Sequence, residues 1–129
     1  MYLDYTGIRV TDLERSLRFY GDGVGLREIR RGTMPHGGVW VLLQDPISHQ
    51  HLELNWYPEG NPYATPFVVG EGLDHLGFRV ENIVAAAKRL TEAGAREVDR
   101  FEEDGVPSVI YLADPDGHWL ELISHPTES

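Results

Sequence analysis

Leu73-Asp74-His75-Leu76-Gly77-Phe78-Arg79-Val80 decides the fold, because it is a second copy of Asp4-Tyr5-Thr6-Gly7-Ile8-Arg9-Val10. The two stretches align at an offset of 70 residues, His75 against Tyr5. Farther along, Leu112-Ala113-Asp114-Pro115 repeats Leu43-Gln44-Asp45-Pro46 at an offset of 69, and Leu120-Glu121-Leu122 repeats Leu52-Glu53-Leu54 at 68. An offset that drifts so slowly indicates two copies of one unit separated by small loop deletions. Duplicated units commonly pack with pseudo-twofold symmetry, which is expected to bring Tyr5, Glu53, His75 and Glu121 to a common seam. One imidazole, two carboxylates and a phenol form a candidate divalent-metal site.

Each copy reads as β-α-β-β-β. Alternation in the first strand puts Thr6, Ile8 and Val10 on one face and Tyr5, Gly7 and Arg9 on the other. Thr11-Asp12-Leu13-Glu14 fits a capping box with Thr11 as N-cap. Leu13, Leu17, Tyr20 and Val24 follow at helical spacing, and the glycines from Gly21 to Gly25 end the helix. Strands are expected over residues 26–31, 39–44 and 49–56, with Asp45-Pro46 as the turn before the last. In the second copy a strand over 74–80 puts Leu76, Phe78 and Val80 on the apolar face. A helix from about Ile83 to Ala93 buries Ile83, Ala87 and Leu90 and stops at Gly94. Strands near 97–101, 107–112 and 118–124 complete the unit, with Asp114-Pro115-Asp116-Gly117 turning between the last two. The fold class is α+β, with one module over about residues 1–57, a linker over about 58–72 and a second module over about 73–125. The linker is long. It offers a lid, a hinge for exchanging modules or a dimer contact, although Tyr57, Tyr63 and Phe67 more simply pack locally.

Composition narrows the function classes. The 129 residues suffice for one domain or two small half-units sharing a core. A net charge of −10 argues against nucleic acid or an anionic membrane surface as partner. Arg27, Arg30 and Arg31 read as a solvated strand edge. With no cysteine, disulfides, thiolate zinc and thiol catalysis drop out. No apolar stretch approaches the roughly 20 residues of a membrane span, and the N-terminus lacks a signal-peptide layout. The expected location is the cytoplasm.

Strand parity sharpens the site. Glu53 shares its face with His51 and Asn55, opposite Leu52, Leu54 and Trp56, while Glu121 points away from Leu120 and Leu122. All four candidates therefore lie on the face opposite the helices. A competing reading pairs Glu53 with Arg9 and Glu121 with Arg79 in salt bridges. For one strand glutamate that is the ordinary outcome. For a symmetric quartet with a histidine, the cost of desolvating two carboxylates favours a metal. His49 and His51 have a spacing that binds metal but read more simply as surface residues. His36 belongs to a hairpin turn beside Gly37-Gly38, His118 follows a turn, and His125 lies in the tail. Trp40 and Trp56 read as core or interface. Trp119, on the face of Glu121, is the aromatic candidate for a pocket.

Residues 7–20, 73–80 and 114–122 together resemble the vicinal oxygen chelate superfamily. That superfamily includes glyoxalase I, methylmalonyl-CoA epimerase, extradiol dioxygenases and the bleomycin and fosfomycin resistance proteins. The motifs are closest to those of glyoxalase I-like proteins. The resemblance implies two βαβββ modules forming an incomplete barrel around a metal cleft, commonly in a homodimer. It implies metal ligands at Tyr5, Glu53, His75 and Glu121, and one divalent ion, nickel, zinc, cobalt, manganese or iron. Interlocked chains would bring Tyr5 and Glu53 of one chain to His75 and Glu121 of the other. Glyoxalase I has His or Gln where this chain has Tyr5. The favoured ligand set is then Glu53, His75 and Glu121, with Tyr5 near the open face. A ferric phenolate and a centre without metal are the alternatives. Arg9 matches an arginine that binds the glutathione carboxylate. However, Asn55 follows Glu53 by two positions rather than four, and residues 104–108 lack a Lys-Gly segment, so glutathione is not assumed.

The resemblance implies a lyase or isomerase acting on a small carbonyl or thiohemiacetal-like substrate through an enediolate. Glu121 is the expected base and Glu53 the alternate, with Arg9, Tyr5, Asn55, Arg79 and Trp119 binding substrate. Unchanged turnover in Glu121→Gln would sink this reading. An iron-dependent dioxygenase acting on a catechol-like compound is the second reading, marked by activity that needs oxygen. A non-catalytic small-molecule binder is the third, marked by tight binding to metal-free protein.

Overall fold

A computed structural model describes residues 4–62, 64, 68, 69, 71 and 73–124. The chain divides into two compact units, Met1–Phe67 and Val68–Ser129. Tyr63, Phe67 and His125 lie outside the described residues.

The first unit comprises β1 (Thr6–Arg9), α1 (Leu13–Arg18) running on into a π-helical stretch (Phe19–Val24), β2 (Arg27–Thr33), β3 (Val39–Gln44) and β4 (His51–Trp56). The second comprises β5 (Leu76–Val80), α2 (Ile83–Glu92), β6 (Arg96–Glu103), β7 (Val106–Ala113) and β8 (Trp119–Ser124). The sheet orders, β1-β4-β3-β2 and β5-β8-β7-β6, are the same arrangement twice. In each, the outer strand before the helix runs parallel to the last strand and the other pairs are antiparallel. The expected pair of open α+β modules is the structure found, without a closed barrel.

Both helices start from a short polar side chain at equivalent positions. Asp12 Oδ1 accepts from the Arg15 amide at 3.0 Å, and Asn82 Oδ1 accepts from the Ala85 amide at 3.0 Å. The N-cap is thus Asp12 rather than Thr11. Thr11 Oγ1 accepts from Arg15 Nη2 at 3.0 Å instead. The buried face of the first helix also differs from the expected one. Tyr20 is buried, but its companions are Ser16, Phe19 and Gly23, while Leu13, Leu17 and Val24 are only half-buried. The buried set Ser16, Phe19, Tyr20 and Gly23 keeps the i, i+3, i+4, i+7 spacing of a helical stripe, turned away from the stripe expected on Leu13, Leu17 and Val24. Phe19 and Tyr20 meet edge to face at 5.0 Å. In α2, Ile83, Ala87 and Leu90 are buried as the 3.6-residue period predicts. That helix closes with Gly94 at φ +118° and paired bonds, Ala95 N to Leu90 O at 2.9 Å and Gly94 N to Thr91 O at 3.1 Å.

One face of each sheet takes the helix. α1 packs on β4, and α2 packs on β7, β8 and β6. Beneath them, Ile8, Val10, Val41, Leu43, Leu52 and Leu54 form the first core, and Ile110, Leu112, Leu120 and Leu122 the second. Each such side chain contributes ~1.5–3 kcal/mol on full burial. Alternation then sends Glu53 and Glu121 to the opposite face. The outer strands bulge at matching places, between Glu28 and Arg30 and between Glu97 and Asp99, which increases local bend and twist. Arg27, Arg30 and Arg31 lie exposed on β2 as expected, with Arg31 paired to Glu28. No helix among the described residues is long and apolar enough to cross a membrane.

Candidate functional site

His75 immediately precedes β5, and Glu121 lies in β8, opposite Gly77 on one side and Tyr111 on the other. His75 Nε2 stands 2.9 Å from Glu121 Oε2, and His75 Nδ1 stands 2.7 Å from Asp74 Oδ2. A neutral imidazole carries one N–H, so it satisfies only one of these acceptors. If Nδ1–H donates to Asp74, the Nε2 lone pair faces a carboxylate oxygen. Two acceptors at that separation repel unless a proton or a cation lies between them. Donors that share one ion at about 2.1 Å each, roughly at right angles, would stand ~3 Å apart. An orienting carboxylate on the far nitrogen is the usual support of a metal-binding histidine. The donor set of this half therefore fits a divalent ion.

His75, Trp119 and Phe101 of the second unit gather around Tyr111. Tyr111 meets His75 at 5.9 Å with rings nearly perpendicular, Trp119 at 6.1 Å and Phe101 at 6.3 Å. Desolvation, then the charge of Glu121 and a hydrogen bond to it, push the Tyr111 phenol above its ordinary value. Trp119 is 43% exposed and lines a cavity of about 190 Å³ with Val69, Leu73, Asp74 and Gly117. Gly117 sits at φ +94°, and a Cβ there would stand 2.8 Å from a Val69 methyl.

In the first unit Glu53 lies between Gly7 of β1 and Leu42 of β3. Burial pushes its carboxyl above the ordinary value, opposed by a hydrogen bond from the Asn55 side chain. Asn55 is itself opposite Arg9. Tyr5 is 46% exposed, and its ring reaches to 3.9 Å of a Cβ built on Gly7. Asp4, Tyr5, Thr6, His49, Gln50 and His51 line a cavity of about 290 Å³. His51 Nδ1 lies 3.4 Å from the Asp4 carbonyl oxygen.

The structure places His75 Nε2 2.9 Å from Glu121 Oε2, and Glu53, Asn55 and Arg9 on the strand pair β1–β4 with Tyr5 just ahead of β1. Arg79 departs from the salt-bridge alternative. Its guanidinium donates to the Ser124 carbonyl at 3.4 Å, while Glu121 faces His75. Two participants were missed by sequence reasoning. Asp74 was visible only as the neighbour of His75. Tyr111 was visible through parity, since it alternates with Ile110 and Leu112, but its counterpart in the repeat is Leu42 and symmetry hides it.

A separate cluster, Asp114, Asp116 and His118, brings possible donor atoms within 4.8 Å of one another. Asp114 Oδ1 already accepts from the Asp116 amide at 2.9 Å and the His118 amide at 2.8 Å, and Oδ2 lies 2.8 Å from His118 Nδ1. Asp45 makes the matching turn in the first unit, accepting from the amides of Ile47 and Ser48. The cluster is therefore the clasp of the β7–β8 turn, built as the sequence turn signal predicts.

Known proteins place these features in context. A probable lactoylglutathione lyase from Synechocystis sp. is 29% identical over 130 residues, covering 95% of this chain and 95% of that protein. A lactoylglutathione lyase from Pseudomonas aeruginosa is 29% identical over 142 residues, covering 93% and 80%. Among solved structures, the trypanothione-dependent glyoxalase I of Leishmania major superposes with a TM-score of 0.75 at 27% identity, covering 96% and 86%. Residues 2–122 match one family model across both repeats, and the chain belongs to the Glyoxalase/Bleomycin resistance protein/Dioxygenase superfamily.

Proposed function

We propose that the protein is a metal-dependent lyase or isomerase of glyoxalase I type, acting on a small carbonyl or thiohemiacetal-like substrate through an enediolate. The observation that carries this reading is His75 held between Asp74 and Glu121, with Nε2 facing a carboxylate oxygen at 2.9 Å. The similarity to lactoylglutathione lyases supports the reaction class. In this reading Glu53, His75 and Glu121 are the ligands, with Glu53 assigned as the repeat counterpart of Glu121, and the protein works as a homodimer. A bound divalent ion would supply the Lewis acidity that stabilises charge on carbonyl oxygens as the adjacent carbon loses its proton.

The remaining steps belong to side chains. Glu121 takes the carbon-bound proton on a carboxylate oxygen and returns it to the neighbouring carbon. Glu53 is the alternate base. The Tyr5 phenol donates to a substrate oxygen. Arg9 and Arg79 offer guanidinium groups to an anionic end, and Asn55 orients it. Trp119 and its 190 Å³ cavity receive an apolar substituent and exclude water beside His75.

The test combines elemental analysis, sedimentation and turnover. Protein reconstituted anaerobically with nickel, zinc, cobalt, manganese or iron is expected to hold about one ion per site, as a dimer, and His75→Ala or Glu121→Ala to lose it. Glu121→Gln is expected to lose activity on hemithioacetals formed from 2-oxoaldehydes and a panel of thiols. Protein that binds none of these metals, or a Glu121→Gln variant that turns over normally, overturns the proposal.

A further inference from the structure

We propose that His36 and Asn61 form a pH-sensitive latch, which holds the start of the linker against the β2–β3 hairpin and releases it when the imidazole is protonated. The two repeats close this hairpin differently. In the second unit Glu103 pairs with Val106, and the two residues Asp104-Gly105 join β6 to β7. In the first unit Thr33 pairs with Val39, and five residues intervene, Met34-Pro35-His36-Gly37-Gly38. A two-residue turn is enough to reverse the chain, so the extra length serves another contact. That contact is with residues 57–61. The Tyr57 ring tilts against the His36 ring at 5.8 Å and 35°. A Cβ built on Gly38 would stand 2.8 Å from Tyr57 Cδ1, so this close approach requires glycine. Pro58 Cγ lies 3.6 Å from a Cβ built on Gly37.

The polar contacts require a neutral imidazole. Asn61 Nδ2 donates to the His36 carbonyl oxygen at 2.8 Å, which fixes the orientation of the amide, because a carbonyl only accepts. The same nitrogen lies 2.9 Å from His36 Nδ1, and the Gly38 amide donates to that atom at 3.4 Å. Two N–H donors thus converge on Nδ1, which presents its lone pair and leaves the ring proton on Nε2. A second proton can enter only at Nδ1. It removes the acceptor and sets three N–H groups against one another. Turning the Asn61 amide over would pair Oδ1 with the new N–H but set it against the His36 carbonyl oxygen, so one contact is lost in any case. The latch therefore holds while the imidazole is neutral and weakens as pH falls through the range in which histidine takes up its proton. The hairpin loop carries no other titratable side chain. The opposing segment carries two. One is the Tyr57 phenol on the tilted ring, and the other is Glu59, exposed on the turn that the Asn61 amide closes by donating to Pro58 O at 3.1 Å.

Hydrogen exchange at the Asn61 and Ala64 amides reports the latch, because their bonds, to Pro58 O and Asn61 O, lie within or next to the held segment. The measurement uses metal-free protein, since none of these side chains belongs to the proposed metal site. In the wild-type protein, protection corrected for intrinsic pH dependence is expected to fall about fivefold from about pH 8 to about pH 5, the scale of one net hydrogen bond. His36→Phe keeps a ring beside Tyr57 without the titrating nitrogens, and should show equally low protection at both pH values. Asn61→Asp offers a carboxylate to the protonated ring and should reverse the sign, with the greater protection at the lower pH. Tyr57→Phe and Glu59→Gln should keep the wild-type fall. Equal protection at the two pH values in wild-type protein overturns the proposal. A fall that survives in His36→Phe, or one that vanishes in Glu59→Gln, overturns it as well.

Discussion

Glu53 shows what the site costs a single residue. Burial raises its carboxyl above the ordinary value of 4.5, so the folded protein holds this proton more tightly than the unfolded chain. Stability contributed at this position is then greatest at low pH and is lost as pH rises through the raised folded value. Glu53→Gln in metal-free protein is accordingly expected to raise the thermal midpoint at pH 7, with the gain shrinking as pH falls toward 4.5. Calorimetry at both pH values checks it, and an equal gain at the two would refute the assignment. At this scale the sequence was most informative where residues repeat. His75 and Glu121 were legible because each has a counterpart and a strand parity. Tyr111 was legible by parity alone, because its counterpart in the repeat is Leu42 and likeness between the copies does not mark it. Asp74 was not legible, since contact between neighbouring side chains depends on torsions that periodicity does not report.

At the scale of elements, caps and turns do more than propensity. Thr11 and Asp12 are both acceptable N-caps, and the choice between them is decided by where the chain leaves β1. The π-helical stretch was invisible for a related reason. Gly21 and Gly23 signal a helix end, but packing of Phe19 and Tyr20 carries the winding on to Gly25. The β7–β8 turn is the strongest local device. Asp114 and His118 are both buried, and the aspartate accepts from two amides and contacts the imidazole. Asp114→Ala is expected to destabilise by about 3 kcal/mol, since it strands buried donors. Asp45→Ala, in a more open turn, should cost about 1 kcal/mol. Urea denaturation of the two variants distinguishes them, and equal losses would show that burial of the clasp adds nothing.

Across the whole molecule, charge is the dominant general property. A net charge of −10 on 129 residues opposes compaction by self-repulsion. Raising sodium chloride from 20 to 300 mM, about a fourfold shortening of the screening length, is expected to raise the thermal midpoint of metal-free protein by roughly a few degrees. A midpoint that falls with salt would mean that local ion pairs outweigh the general repulsion. The repeated architecture itself was legible from three short matches whose offset changes by two residues over the chain. Their spacing is set by sheet register, which tolerates changes in loops but not in strands.

The two glycines that flank the glutamates are not equally constrained. A Cβ at Gly7 would stand 3.1 Å from Asn55 Nδ2, but one at Gly77 would meet nothing within 4 Å. Gly77 is opposite Glu121. An alanine there would reduce the freedom of the unfolded strand and stabilise the fold by about 0.5 kcal/mol. It would also take up volume beside the carboxylate on the face where a substrate would lie. If the proposed lyase reading holds, position 77 is a point at which substrate range could change, one methyl group at a time, without loss of stability. Equilibrium unfolding of Gly77→Ala beside its turnover across hemithioacetals of increasing bulk would reveal that freedom. Stability raised by about 0.5 kcal/mol with lost bulky-substrate activity would fit it, and a loss of stability would deny it.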